Sequence, residues 1–164
     1  MPAKADPTKT RVIFEHKHGK PLIACRFDPQ GRFVFFGSED FRVWRLDWHS
    51  DPKTITETEY NGHDSWVRAI GFSTDGQTLI TGGYDGRLIW WPVDAEKPEP
   101  VRTVDAHRGW IRALDVSPDG KLVATVGDDL LVKIWGVDSG SLVHEMAGHT
   151  RYPYNVAFHP NGQD

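Results

Sequence analysis

The sequence predicts an all-β protein built from repeated four-stranded antiparallel sheets, the blades of a β-propeller whose ring is incomplete within this chain. Three observations carry that prediction. Histidines at 18, 63, 107 and 149 are 45, 44 and 42 residues apart, and glycines at 31, 76, 120 and 162 repeat the same three intervals. An Asp and then a Trp close each full interval, at Asp40 and Trp44, Asp85 and Trp91, Asp129 and Trp135. Between these markers lie short runs of Val, Ile, Leu, Phe and Trp, the residues of buried strands. A period of roughly 40–45 residues with Gly-His and Trp landmarks is that of a propeller blade.

Residues 1–9 are polar, carry Pro2 and Pro7, and are expected to be disordered. Thr10–Glu15 reads as a short strand. It stands where later units carry the last strand of the preceding blade, Val101–Val104 before His107 and Ser141–Met146 before His149. It is therefore a fourth strand with no blade of its own. The blades are expected at about 18–59, 63–104 and 107–146, with the start of a fourth at 149–164. In the second unit the strands fall at Val67–Phe72, Thr78–Gly82 and Leu88–Pro92. Its fourth strand is Thr54–Glu59 or Val101–Val104, depending on where the unit is cut. Ser73-Thr-Asp-Gly76 and Ser117-Pro-Asp-Gly120 are hairpin signals, with Gly supplying a positive φ, and Tyr84-Asp-Gly86 marks the next hairpin. The polar, Pro-containing stretches Asp47–Lys53 and Asp94–Pro100 are expected on the surface. Trp90 and Trp91 are adjacent on one strand and should point to opposite faces.

Composition narrows the function classes. Apolar residues make up 38% and charged residues 26% of 164 residues, an ordinary water-soluble balance. The net charge of -4, with no basic run, argues against nucleic acid as a partner. The single Cys25 can form no internal disulfide and, lying in an apolar run, is expected to be buried. No Cys/His spacing suits a metal and no cofactor motif is present. The N-terminus has no apolar stretch of a signal peptide, and no run is long enough to span a membrane, so a cytoplasmic protein is expected.

The coinciding landmarks resemble those of the WD-repeat β-propeller family over about residues 10–164. The Trp-Asp dipeptide itself is missing: the pairs are Trp44-Arg45, Trp91-Pro92 and Trp135-Gly136. Members typically join a His, a Ser or Thr, an Asp and a Trp in a buried hydrogen-bond chain within each blade. The matching residues are His63, Thr81, Asp85 and Trp91, then His107, Thr125, Asp129 and Trp135. These side chains can close such a chain, because Trp only donates, Asp only accepts, and Thr and His do both. The first unit keeps His18, Asp40 and Trp44 but has Phe36 in place of Thr and is two residues shorter before its Trp, so its chain should be broken. A set that recurs blade by blade is structural rather than catalytic.

The resemblance also implies a function: WD-repeat propellers generally act as interaction platforms. It places three positions of each unit on one face, three and five residues after the His and one before the Asp. These are Trp66, Arg68 and Tyr84, then Trp110, Arg112 and Asp128, with Tyr152 and Tyr154 from the fourth unit. The first unit gives Pro21, Ile23 and Glu39, a weaker set. Trp, Tyr and Arg are the residue types enriched in binding hot spots. Alternatively, the Trp residues pack against neighbouring blades and the Arg residues pair with Asp64 or Asp128.

The expected function is a non-catalytic scaffold that presents an aromatic and Arg-rich face to a protein or peptide, without nucleic acid, membrane or cofactor. Such a face also suits acidic or phosphorylated segments. The alternative is an accessory or sensor propeller of a longer enzyme or membrane-associated protein. An enzyme acting through the central channel is the weakest reading. Too few units are present to close a ring, so either further C-terminal blades belong to the protein or chains associate through open propeller edges.

Overall fold

The computed structural model describes Val12 and residues 14–51 and 53–162. Twelve strands and no helix are found among them. They are β1 (Leu22–Phe27), β2 (Val34–Ser38), β3 (Arg42–Leu46), β4 (Glu57–Asn61), β5 (Val67–Phe72), β6 (Thr78–Gly83), β7 (Arg87–Pro92), β8 (Arg102–Asp105), β9 (Ile111–Val116), β10 (Leu122–Gly127), β11 (Val132–Gly136) and β12 (Leu142–Met146). Each consecutive set of four forms one antiparallel sheet, paired in chain order. These are three propeller blades. Glu57–Asn61 closes the first blade, and the fourth strand of the second is Arg102–Asp105.

One turn geometry recurs at the Gly landmarks. The Gly31, Gly76, Gly120 and Gly162 amides each donate to the carbonyl three residues earlier, at 2.8–2.9 Å. All four have φ between 67° and 73°, where a side chain would be strained. In the second and third blades the Ser73 and Ser117 hydroxyls brace the turn, accepting the Thr78 and Leu122 amides at 3.0 Å. Residues 147–162 carry the fourth of these turns but no strand.

The core lies between blades rather than within any one of them. Phe35, Tyr60, Val67, Leu79, Ile89 and Trp91 fill the junction of the first and second blades. Ile80, Leu88, Trp90, Ile111, Val123 and Trp135 fill that of the second and third. Strand β7 feeds both: alternation sends Ile89 and Trp91 to one junction, Leu88 and Trp90 to the other. The middle blade is covered on both faces, so its strands read as continuous apolar runs. Close backbone approach matters too. A Cβ on Gly37 of β2 would land on the Val67 carbonyl of β5. Tyr60 ties the first junction by donating its hydroxyl to the Val93 carbonyl at 2.7 Å, and burial pushes its pKa up to about 12.

Two expectations change. Cys25 is exposed, because it lies on β1, the edge strand of its sheet, and lines an open groove. Of the strand expected over Thr10–Glu15, Thr10, Arg11 and Ile13 lie outside the described residues, and Val12, Phe14 and Glu15 are not in a strand. The segment 1–9 lies wholly outside them.

Candidate functional site

In the second blade the sequence brings His63, Thr81, Asp85 and Trp91 together because 81 and 91 share one face of β6 and β7. Leu79 pairs with Trp91 and Thr81 with Ile89, so the indole sits one cross-strand step from the hydroxyl. Trp91 Nε1 donates to Thr81 Oγ1 at 2.9 Å, and Thr81 Oγ1 lies 2.8 Å from His63 Nε2. His63 Nδ1 lies 3.0 Å from Asp85 Oδ2. The third blade repeats this: Trp135 Nε1 to Thr125 Oγ1 at 2.9 Å, Thr125 Oγ1 to His107 Nε2 at 2.8 Å, His107 Nδ1 to Asp129 Oδ1 at 2.8 Å. Donors and acceptors then run one way. Trp donates to Thr, Thr to Nε2 of a neutral imidazole, and its Nδ1–H to the carboxylate.

The electrostatics fit this order. Burial lowers the pKa of His107 more than the nearby Asp129 carboxylate raises it. Burial pushes the Asp85 carboxyl up. The His63 hydrogen bond and the Asp64 and Arg87 amides outweigh that and hold its pKa at about 2. Asp129 is lowered in the same way, its burial outweighed by His107 and the Arg108 amide.

The first blade is wired differently. In β2 and β3, Phe36 pairs with Trp44 and Val34 with Leu46. Trp44 thus holds the register of Ile89, and Leu46 that of Trp91. One step nearer the turn, the Trp44 indole reaches Asp40 directly, at 3.2 Å, without a hydroxyl relay. Phe36 packs edge-on against the His18 ring, 5.2 Å between centroids. His18 turns its Nδ1 to Glu57 at 2.9 Å, and its buried Nε2 finds no hydrogen-bond partner among the described residues, lying 3.7 Å from Asp40.

The residues named for the interaction face lie in one row. Trp66 and Trp110 precede the inner strands β5 and β9, and Tyr84 and Asp128 follow β6 and β10. Backbone bonds fix each pair: the Tyr84 amide donates to the Trp66 carbonyl at 2.8 Å, the Asp128 amide to that of Trp110 at 3.0 Å. Trp66 lies 5.9 Å from Tyr84, and Tyr84 stacks on Trp110 at 4.2 Å and 3°. Arg112 follows, 5.6 Å from the Trp110 ring centroid, 4.9 Å from Tyr152 and 4.8 Å from Tyr154. The row crosses from the second blade to the third and on to the segment after it. Trp66 is 39% exposed, Trp110 45% and Tyr154 65%. The Trp side chains therefore do pack on a neighbour, Tyr84, yet keep accessible surface. Arg112 is ion-paired to Asp128, Arg68 Nε donates to the Arg112 carbonyl at 3.2 Å, and Asp64 pairs with Arg87 instead. From the weaker set, Pro21 is exposed and its carbonyl takes the Ser38 hydroxyl.

Repeat arithmetic passed over Arg26. It lies five residues before Gly31, whereas Arg68 and Arg112 lie eight before Gly76 and Gly120. The structure nevertheless brings all three into one groove of about 390 Å³ where β1, β5 and β9 lie side by side. A larger groove, about 800 Å³, lies by β4 and residues 96–99, with Glu57, Glu59, Glu96 and Glu99 beside Arg45 and Lys97. No group of three His, Cys, Asp or Glu side chains among the described residues is placed to hold a metal. No helix among them is long and apolar enough to cross a membrane.

Comparison with known proteins agrees with this architecture. The family described as WD domain, G-beta repeat matches residues 55–92 and 98–136. The mitotic checkpoint protein bub3 of Dictyostelium discoideum is 31% identical over 86 residues, 52% of this chain and 24% of that protein. The serine-threonine kinase receptor-associated protein of Bos taurus is 33% identical over 70 residues, 43% of this chain and 19% of the relative. Protein groucho of Drosophila melanogaster is 25% identical over 95 residues, 57% of this chain and 13% of its own length. The matched part of the chain spans no more than about a quarter of these relatives.

Proposed function

Starting from a WD-repeat chain whose repeats stack as propeller blades, we propose that it is a non-catalytic scaffold that binds a protein or peptide segment on the face of Trp66, Tyr84 and Trp110. WD-repeat proteins generally act as interaction scaffolds, and one matched relative is named for association with a receptor kinase. The observation that carries the reading is the row in which Trp66, Tyr84 and Trp110 touch ring to ring and Arg112 links Trp110 to Tyr154. Rings locked by stacking lose little freedom on binding, and each offers a large apolar face with a polar edge. Arg68, Arg112, Asp128 and Tyr152 would frame the row, and Arg112 is spent on Asp128 and the rings, so it positions more than it pairs. The His-Thr-Asp-Trp chains serve the blades. They recur in two blades with the same bonds, where a reaction centre would be single.

The test is a Trp66→Ala, Trp110→Ala double variant offered peptides selected from a random phage-displayed library on the native chain. Unaltered near-ultraviolet dichroism outside the lost indoles with binding weakened at least roughly 30-fold, the scale of a hot-spot pair, supports the reading. Full retention of binding refutes it.

A further inference from the structure

His18 stands in the repeat position of His63 and His107 but is wired to other partners. In the second and third blades a Thr hydroxyl, already accepting the Trp indole, donates to the imidazole Nε2. Phe36 removes that hydroxyl from the first blade, and His18 lies between two carboxylates instead. Its Nδ1 is 2.9 Å from Glu57 Oε1 and its Nε2 3.7 Å from Asp40 Oδ2. His16 Nε2 reaches the same Glu57 oxygen at 2.7 Å. The His18 side chain is 6% exposed, so water screens these charges little. Arg42 is the neighbouring cation, but its Nε is paired with Glu59 and its Nη1 reaches Asp40 at the backbone carbonyl, at 3.0 Å. The Asp40 carboxylate accepts uncharged donors, the Arg42 amide at 3.1 Å and the Trp44 indole at 3.2 Å. Glu15, Lys17 and Lys20 of the same segment are exposed.

The two histidines also cover something. Phe36, Trp44 and Glu59 pair directly across β2, β3 and β4, so they share a sheet face with Glu57. It is the face turned away from the second blade, because Phe35, Val43 and Tyr60 on the other side fill that junction. The His18 ring lies over it, 5.2 Å from the Phe36 ring and 5.1 Å from that of Trp44. We propose that a proton taken up by His18 fastens residues 16–18 as a cover on this face. The imidazolium then donates Nδ1–H to Glu57 and Nε2–H to Asp40, bridging β4 and the turn before β3. Opposite charges this close favour the charged ring. Bringing Nε2 from 3.7 Å to hydrogen-bond distance takes a movement of less than about 1 Å. When the proton leaves for solvent, Nε2 presents a lone pair to a carboxylate, and the cover loosens from Trp44. The fastening is strongest once the ring is charged and is lost as pH rises, opposite in sign to His107, whose neutral form is the stabilising one. The device stands apart from the aromatic row and shares no residue with it.

The experiment follows the native chain, labelled at histidine ring nitrogen, between about pH 8 and 5. Amide hydrogen exchange of residues 16–19 is measured on the same samples and corrected for the intrinsic pH dependence of exchange. The expected result is that His18 gains a proton on Nε2 as pH falls, that the Trp44 indole signal moves in step, and that exchange of these amides slows about tenfold or more. Asp40→Asn keeps an acceptor for the Trp44 indole and the Arg42 amide but removes the charge facing Nε2. It should take away most of the pH dependence of that exchange and leave exchange in β5–β8 unchanged. The ring signals decide the matter on the native chain even where the variant folds poorly. A His18 Nε2 without a proton throughout, exchange of residues 16–19 that ignores pH in the native chain, or full pH dependence retained in Asp40→Asn would each overturn the proposal.

Discussion

The Tyr84 ring lies flat on the Trp110 indole, 3° from parallel, although the two belong to different blades. Tyr84 follows β6 of the second blade and Trp110 precedes β9 of the third. Blade packing, set by the apolar junction beneath, therefore also sets the proposed interaction face. Loosening the junction should disturb the face, whereas trimming the face should leave the junction intact.

The hydroxyl relay is tested by Thr81→Val and Thr125→Val. Each keeps the shape but leaves the Trp N–H and the His Nε2 buried without their partner. An unsatisfied buried group costs about 1–3 kcal/mol. Each substitution should lower the urea midpoint by that energy divided by the slope, with the slope itself unchanged. Phe36 already stands at the corresponding place in the first blade, and Phe36→Thr should restore nothing, since Trp44 bonds Asp40 directly.

Acid should expose what Asp85 contributes to stability. Its folded pKa of about 2 lies below the ordinary carboxylate value of 3.8. The unfolded chain therefore binds the proton more readily. The stabilisation is fully present above about pH 4 and is lost as pH falls through about 2. A shift of this size is worth about 2 kcal/mol. Asp85→Asn should be less stable at pH 6 and show a flatter decline between pH 4 and 2, read by urea unfolding at each pH.

His107 contributes in a higher window and with the same sign. Its folded pKa is lowered from 6.5 by burial, so the unfolded state takes up the proton first. Stability from the neutral imidazole is full above pH 6.5 and declines as pH falls below it. His107→Gln should remove part of the pH dependence between 7 and 5, whatever its own cost in stability.

The blade approach is tested by Gly37→Ala. The added Cβ meets the Val67 backbone, which cannot move aside as a side chain would. Overpacking of this kind costs about 1–3 kcal/mol. Gly19→Ala, where a Cβ meets nothing within 4 Å, is the control and should be near neutral.

Much of this was legible in the sequence because the repeat supplies its own alignment. The strands expected from turn glycines and apolar runs at Val67–Phe72, Thr78–Gly82 and Leu88–Pro92 fall within one residue of β5, β6 and β7. The relay from Trp91 to Asp85 followed from the resemblance to WD repeats, and it forms because a hydroxyl and an indole ten residues apart across this hairpin share a face. What spacing alone misses is register. Trp44 looks like the counterpart of Trp91 until pairing shows Leu46 in that place. The exposure of Cys25 was hidden because an apolar run does not reveal that its strand is an inner edge. Arg26 was hidden because it sits out of phase with its neighbours' repeat positions.

The most direct test of the binding face is the set of seven indole N–H resonances during titration with a phage-selected peptide. The account predicts that the Trp66 and Trp110 signals move while those of Trp91 and Trp135, locked to Thr81 and Thr125, stay still. Unchanged Trp66 and Trp110 signals, with shifts at the opposite-end turns Ser73–Gly76 and Ser117–Gly120, would contradict it.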